Sequence, residues 1–225
     1  LGGPMIQQQI AEVEAEIPAE APTDLPTLED MEAKGLLEYV DLEKIYIDHV
    51  EANFDLGTMR SAKFKIAYDA MYGAGQNAKL FPDAVLLHCD NNPSFHGQAP
   101  EPIHRNLGEF AGLIQSDDSI GLGIANDGDA DRIGMYDDQG NFVDSHHILL
   151  LLLYYMYEHK KQDGKVVITF SVTDKMKALA EQYGLDFEVT KIGFKYIAEI
   201  MAEEEVIVGG EESGGLAVSG HIPER

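Results

Sequence analysis

Short apolar segments alternate with helical segments along most of this 225-residue chain. The alternation has a short spacing and occurs twice, which is typical of mainly parallel strands joined by helices. The pattern therefore predicts an α/β fold with two consecutive units, each built on a mainly parallel sheet. The predicted strands are residues 64–68, 85–88, 119–126, 132–136, 165–170, 186–190 and 206–209, and the predicted helices are residues 103–115, 145–160, 174–183 and 194–202.

The first part of the chain follows a different pattern. Residues 5–17 place apolar side chains at near-helical spacing, and Pro18 ends this predicted helix. Residues 18–26 are rich in Pro, Ala and acids, which is typical of a connector. Residues 36–54 are ambiguous, and we interpret them as a short strand that leads into a helix. The chain begins at Leu1 without a methionine, so we expect it to be a piece of a longer protein.

The chain is strongly acidic, with 40 Asp and Glu against 16 Lys and Arg and a formal net charge of −24. This charge argues against nucleic acid or an anionic membrane as a partner, because both bind basic surfaces. The apolar run 148–157 is about half as long as a bilayer-spanning helix, and we interpret it as a buried helix. The lone Cys89 excludes a disulfide framework and favours a reducing, cytoplasmic location.

Residues 126–132 read N-D-G-D-A-D-R directly after the predicted strand 119–126. Three carboxylates this close repel one another unless a cation lies between them, and the small residues between them let the chain curl. Carboxylate oxygens suit Mg²⁺ or Ca²⁺ rather than zinc, and ligands of open α/β sheets bind at strand ends. We predict a divalent-cation site at Asp127, Asp129 and Asp131, with Arg132 offsetting the remaining charge. The alternative is an acidic surface turn.

Two familiar motifs do not fit these residues. An EF-hand loop has Gly at its sixth position and Glu at its twelfth, where this chain has Arg132 and Asp138. A dinucleotide-binding interpretation of G-L-G at 121–123 fails because Asn126 replaces the last glycine. Two functions remain open: a catalytic metal site, or a structural site in a non-catalytic cation-binding module.

Two further motifs lie in the second half of the chain. Residues 209–215 read G-G-E-E-S-G-G, and an acid and a hydroxyl on a glycine-rich turn suit sugar hydroxyls, although a plain turn is the alternative. Residues 191–195 read K-I-G-F-K at a predicted helix start. A lysine at a helix start is usually just solvated. The alternative is a phosphate site, in which Gly193 at the helix start would let backbone N–H groups reach a phosphate.

The motifs D-G-D-A-D-R, T-K-I-G-F-K and G-E-E-S-G-G, in this order and at this spacing, resemble the α-D-phosphohexomutase family and, within it, the bacterial phosphoglucomutases/phosphomannomutases. Residues 68–75 and 91–102 also resemble that family's second domain. The resemblance implies two consecutive three-layer α/β/α domains with mainly parallel mixed sheets, after an N-terminal helix left from domain 1. It assigns residues 1–40 to that helix and a linker, 41–142 to domain 2 with the metal-binding loop, and 143–225 to domain 3 with the sugar-binding loop.

The resemblance also implies a reaction. Family members move phosphate reversibly between C1 and C6 of glucose or mannose phosphate, through a phosphoserine of domain 1 and a hexose 1,6-bisphosphate. By resemblance Asp127, Asp129 and Asp131 would ligate Mg²⁺, with a phosphoserine oxygen as the fourth ligand. Arg132 would lie beside the phosphoserine.

The remaining roles concern the sugar phosphate. By resemblance Glu211 and Ser213 would hold the hydroxyl groups of either hexose. Gly193 would bind substrate, and Lys195 would act in proton transfer or contact substrate. Phe194 stands where some family members carry a histidine, so that histidine contact would be missing here.

Two family motifs do not occur in this sequence. There is no Ser-His-Asn-Pro segment to carry the nucleophile: no serine precedes Ser61, and Ser145 is followed by His146 and His147 rather than by His-Asn-Pro. The R-x-S-G-T phosphate-binding loop of domain 4 is also absent from this sequence. We therefore expect the chain to be the middle of such an enzyme and to be inactive alone, with domains 1 and 4 of the parent chain as its missing partners. The oligomeric state is left open.

Overall fold

A computed structural model describes residues 5–76 and 80–222. Residues 1–4, 77–79 and 223–225 lie outside the described residues. The chain divides into two compact units, Met5–Ser61 and a larger unit from Ala62 onward. Each is described by itself.

The smaller unit consists of helices. They are α1 Gln7–Ala15, α2 Leu28–Ala33, α3 Leu42–Asn53 and α4 Leu56–Arg60. The side chains of Thr27, Asp41 and Asp55 cap the last three by accepting a backbone N–H of the first turn. The predicted helix near the N-terminus is confirmed as α1, whereas the strand predicted before α3 is wrong, because residues 36–41 form no regular structure. Helix α2 was not predicted, because its six residues are too few to show a period.

The larger unit begins with a mixed five-stranded sheet. Its strands are β1 Lys65–Asp69, β2 Val85–Leu87, β3 Ile120–Asn126, β4 Ile133–Tyr136 and β5 Phe142–Val143, in the spatial order β2-β1-β3-β4-β5. Strand β1 pairs in parallel with β2 and β3, whereas β4 is antiparallel to both β3 and β5. A short 3₁₀ turn at His104–Asn106 precedes helix α5, Gly108–Ser116, and α5 leads into β3. The sequence did not predict β5, which is two residues long.

The second sheet has four strands and a similar plan. The elements in chain order are α6 Ser145–Tyr154, β6 Lys165–Thr169, α7 Lys175–Tyr183, β7 Phe187–Thr190, α8 Phe194–Glu203, β8 Val206–Gly210 and β9 Leu216–Val218. The spatial order is β7-β6-β8-β9, with β6 parallel to β7 and β8, and β9 antiparallel to β8. Gly184 ends α7 in the left-handed conformation, φ 72°, as predicted.

Helices cover both faces of the second sheet. Val166 packs with Leu149 and Met176 from α6 and α7, whereas the next residue, Val167, packs with Ile197 from α8. Successive side chains of a strand point to opposite faces, so the sheet lies between helices in three layers. In the first sheet, helix α5 packs its Phe110 and Ile114 against the strands. Truncating one such buried side chain to alanine typically costs about 2–5 kcal/mol.

Helix α6 is buried along one side. Leu149 and Leu153 are fully buried, but Leu151 and Tyr154 are 56% and 48% exposed. The sequence-based interpretation of this run as a buried helix therefore holds for one face. A π-helical turn at Tyr155–His159 follows. Among the described residues, no helix combines the length and apolar character needed to cross a membrane.

The acid-rich motif and the glycine-rich motif occupy equivalent positions in the two sheets. Residues 127–132, here named the metal loop, connect β3 to the antiparallel β4. Residues 211–215, here named the sugar loop, connect β8 to the antiparallel β9. Each loop therefore starts at the carboxyl end of a parallel strand, which is where α/β sheets place ligands.

Candidate active site

The metal loop brings its three aspartates together. Asp127 is the first residue after β3 and is 1% exposed, Asp131 is half-buried, and Asp129 is exposed. Each offers a carboxylate oxygen, and these oxygens all lie within 4.8 Å of one another. Opposite oxygen ligands of one Mg²⁺ or Ca²⁺ ion, each about 2.1–2.4 Å from it, are about 4.2–4.8 Å apart. The donor set and its spacing therefore fit one hard divalent cation.

Asp127 also organises the loop from inside. Its Oδ1 accepts the backbone N–H groups of Asp131, at 2.9 Å, and of Arg132, at 3.0 Å. Its Oδ2 accepts from Nε of Arg132 at 2.6 Å. Ala130 has φ 63°, so the chain turns tightly between the second and third aspartates. The loop is curled as its small residues predicted, and the buried carboxylate holds the curl.

The charge of Arg132 governs the ionisation of Asp127. Burial by itself raises the pKa of Asp127, but the hydrogen bonds and positive charge of Arg132 outweigh it, so the pKa lies below its ordinary value of 3.8. The carboxylate is therefore ionised at neutral pH, as a metal ligand must be. Arg132 is 30% exposed, and its Nε also lies 3.9 Å from an oxygen of Asp131.

Neighbouring segments hold the metal loop in place. The Tyr68 hydroxyl lies within hydrogen-bonding distance of the Gly75 carbonyl and, at 3.0 Å, of Oδ1 of Asn126. The Asn126 amide donates to the Arg132 carbonyl at 2.8 Å. The carbonyl of Gly128 accepts from the backbone N–H of Ala74 at 2.9 Å. Sequence reasoning missed these supporting contacts. Their one signal was the likeness of residues 68–75 to a family segment.

The sugar loop is a tight turn with a buried acid at its start. Glu211 is 4% exposed, and its Oε1 accepts the backbone N–H of Gly193 at 2.7 Å. Its own N–H donates to the Gly215 carbonyl at 2.9 Å. Ser213 is exposed. The structure thus joins two residues predicted from separate motifs, Glu211 and Gly193, in one hydrogen bond.

Lys195 lies on the exposed side of helix α8. Its Nζ is 5.1 Å from the ring centroid of Tyr196, and Nζ of Lys191 is 5.9 Å from the same centroid. Both distances are within the range of a cation–π contact. The segment that opens α8 therefore presents two cations beside one ring, in a chain that is otherwise strongly acidic.

The metal loop and the sugar loop touch. The backbone N–H of Ile133, which follows the metal loop, donates to the carbonyl of Gly214 at 3.3 Å. The Ser145 hydroxyl, at the start of α6, donates to the carbonyl of Glu212. The two hairpin connections are therefore neighbours in one compact unit, with Arg132 directly beside their contact.

Two mixed sheets with these hairpin loops define an α/β/α protein of the phosphohexomutase type. Residues 44–140 match the family model described as phosphoglucomutase/phosphomannomutase, alpha/beta/alpha domain II, and residues 144–225 match domain III of the same family. The chain belongs to the phosphoglucomutase/phosphomannomutase family, the α-D-phosphohexomutases. The resemblance seen in the sequence is thereby confirmed.

Known relatives extend beyond this chain. It is similar to a phosphoglucosamine mutase of Caldicellulosiruptor saccharolyticus, 30% identical over 82% of this chain and 42% of that protein. It is also similar to the crystal structure of a putative phosphomannomutase from Thermus thermophilus, with 31% identity and a TM-score of 0.85 over 100% of this chain and 51% of that one. An N-acetylphosphoglucosamine mutase of Aspergillus fumigatus shares the fold, with 20% identity and a TM-score of 0.57 over 79% of this chain and 41% of that one. The chain thus spans about half the length of these proteins or less.

Proposed function

We propose that this chain carries the metal loop and the sugar loop of a phosphohexomutase. The parent enzyme would move phosphate reversibly between C1 and C6 of a hexose phosphate, through an enzyme phosphoserine and a hexose 1,6-bisphosphate. The observation that carries the proposal is the convergence of Asp127, Asp129 and Asp131 within 4.8 Å, beside a glycine-rich loop with a buried glutamate. Family membership supplies the reaction class.

In this proposal the three aspartates hold Mg²⁺, which would neutralise charge at the transferring phosphoryl group. Arg132 uses its Nε to hold Asp127, and a guanidinium has further N–H donors to offer a phosphoryl oxygen. Arg132 would thus orient both a metal ligand and the phosphoserine. Asp129 is exposed and Asp131 is half-buried, so both carboxylates can be reached from solvent.

Glu211 and Ser213 are proposed to bind sugar hydroxyls. Glu211 is kept in place by the Gly193 N–H, and a carboxylate has several lone pairs, so it can accept from a hydroxyl as well. Ser213 is exposed and able to donate or accept. Lys195 would contact the substrate or move a proton. Names of relatives and of a similar structure include glucosamine and mannose, so we propose a hexose phosphate of the glucose, mannose or glucosamine type as substrate.

The decisive test is the effect of phosphoserine on Mg²⁺ affinity. Because three protein ligands leave the coordination sphere incomplete, we expect weak binding of Mg²⁺ to the 225-residue chain. Adding O-phosphoserine should strengthen it about tenfold, within the usual range of coupling between two ligands. Calorimetric titration measures the Mg²⁺ affinity with and without O-phosphoserine. Asp129→Asn is the control and should lose Mg²⁺ binding. Tight Mg²⁺ binding that O-phosphoserine does not change would instead favour a structural site in a non-catalytic module.

We further predict that the 225-residue chain has no mutase activity by itself. The sequence contains no Ser-His-Asn-Pro segment, so the phosphoryl donor of the proposed reaction is not among its residues. A coupled assay of glucose 1-phosphate conversion to glucose 6-phosphate, with Mg²⁺ and glucose 1,6-bisphosphate supplied, should stay at background. Mannose 1-phosphate and glucosamine 1-phosphate should give the same result. Turnover of any of the three would contradict the prediction.

A further inference from the structure

The contact between the two loops is centred on Gly214. Gly214 has φ +95° and accepts the N–H of Ile133. A Cβ atom at this position would lie 2.9 Å from the Ile133 carbonyl oxygen, 3.2 Å from its nitrogen and 3.4 Å from Cβ of Arg132. The first of these distances is too short for any real side chain, so the backbone of Ile133, directly after the metal loop, occupies the space that a side chain at residue 214 would need.

The contact reaches the proposed metal ligands in one further step. Arg132 donates to Asp127 through both its backbone N–H, at 3.0 Å, and its Nε, at 2.6 Å. A displacement of Arg132 and Ile133 therefore moves the donors that orient the buried carboxylate. Conversely, a cation that draws the aspartates together would shift Asp127 and, through these hydrogen bonds, Arg132 and the adjacent Ile133.

The contact also reaches the sugar loop. The N–H of Gly214 donates to the Glu211 carbonyl at 3.3 Å, and Glu211 in turn holds the N–H of Gly193. The position of Gly214 thus sets the turn that presents Glu211 and Ser213. Gly214, itself part of the sugar loop, therefore contacts Ile133 on one side and Glu211 on the other.

We propose that Gly214 is a positioning residue that couples the two loops, so that a cation at the metal loop strengthens binding of a sugar phosphate at the sugar loop. The proposal rests on the function proposed above. The coupling is positive because a ligand that orders one loop also fixes the Ile133–Gly214 contact, and the other loop then loses less freedom on binding. Thermodynamic linkage requires that the sugar phosphate strengthen cation binding by the same factor.

The coupling can be measured in the unaltered chain. Mg²⁺ is titrated with and without saturating glucose 6-phosphate, and the amide resonances of Gly128 and Gly214 are followed. Inorganic phosphate at equal ionic strength controls for charge alone. We expect glucose 6-phosphate to lower the Kd for Mg²⁺ about fivefold or more relative to inorganic phosphate.

Gly214→Ala tests the residue, and Gly220→Ala is its matched control. Gly220 has a similar φ of +82°, so alanine strains the backbone in the same way, but a Cβ there meets nothing within 4 Å. We expect Gly214→Ala to abolish the effect of glucose 6-phosphate on the Mg²⁺ Kd and to weaken Mg²⁺ binding itself. Gly220→Ala should keep both values.

The outcomes separate the inference from the function on which it rests. Absence of any Mg²⁺-dependent shift at Gly128 in the unaltered chain would overturn the proposed metal site, and the inference with it. Binding of Mg²⁺ and glucose 6-phosphate with no mutual effect would overturn the inference alone. Equal coupling in folded Gly214→Ala and Gly220→Ala would do the same. If Gly214→Ala does not fold, the titration of the unaltered chain still shows whether the cation and the sugar phosphate strengthen each other's binding, and its failure overturns the inference.

Discussion

Asp127→Ala is expected to lower the free energy of unfolding by about 3 kcal/mol in the absence of metal, and to weaken Mg²⁺ binding at least on the order of 100-fold. Asp127 is 1% exposed and accepts from Arg132 Nε and from two backbone N–H groups. Its removal leaves a partly buried guanidinium without this partner and opens the curl of the loop. Urea denaturation with a chelator present, and separate Mg²⁺ titration, measure the two effects.

Asp129→Ala is the matched control for this prediction. Asp129 belongs to the same triad but is exposed, so its loss should weaken Mg²⁺ binding strongly while changing the free energy of unfolding by no more than about 0.5 kcal/mol. Equal stability losses in the two variants would contradict the view that Asp127 supports the loop in addition to its proposed metal binding.

The stability effect at Asp127 should depend on pH. Its pKa in the folded chain lies below the ordinary value of 3.8, so the ionised carboxylate contributes stability above that pH. This contribution is lost as the pH falls through the lower, folded-state pKa. The difference in free energy of unfolding between the unaltered chain and Asp127→Asn should therefore be greatest near neutral pH and shrink below 3.8.

Glu211→Ala is expected to weaken binding of glucose 6-phosphate on the order of 100-fold, because the proposed charge-assisted hydrogen bonds to sugar hydroxyls would be lost along with the support of Gly193. Glu211 is 4% exposed and accepts the Gly193 N–H at 2.7 Å. Leaving that N–H without this acceptor should also cost about 1–3 kcal/mol of stability. Calorimetric titration and thermal unfolding measure the two losses.

Two variants separate the roles of this residue. Glu211→Gln keeps an acceptor for the Gly193 N–H, so it should restore stability but not sugar-phosphate affinity. Glu212→Ala removes the adjacent exposed carboxylate and keeps the backbone carbonyl that Ser145 binds, and it should change neither quantity. A loss of affinity in Glu212→Ala equal to that in Glu211→Ala would show that general negative charge, rather than Glu211, binds the sugar.

Strand and helix positions were predictable where a local period exists. The strands β3, β6 and β8 are mostly apolar runs, and helix α8 shows the helical period clearly. The short strands β5 and β9, of two and three residues, were not predicted from the sequence. They form because β4 and β8 offer them an antiparallel edge, and this depends on chain segments distant in sequence.

The aspartate triad was visible in the sequence because its members are only two residues apart, with the small residues Gly128 and Ala130 between them. Three supporting contacts could not be seen in the sequence, because each joins residues from different motifs. They are Tyr68 with Asn126, Glu211 with Gly193, and Gly214 with Ile133. Short-range patterns determined the α/β class, the metal loop and the family. Only the tertiary structure decided which groups hold the loops and that the two loops touch, because burial and hydrogen-bond partners arise when separate strands and loops pack together.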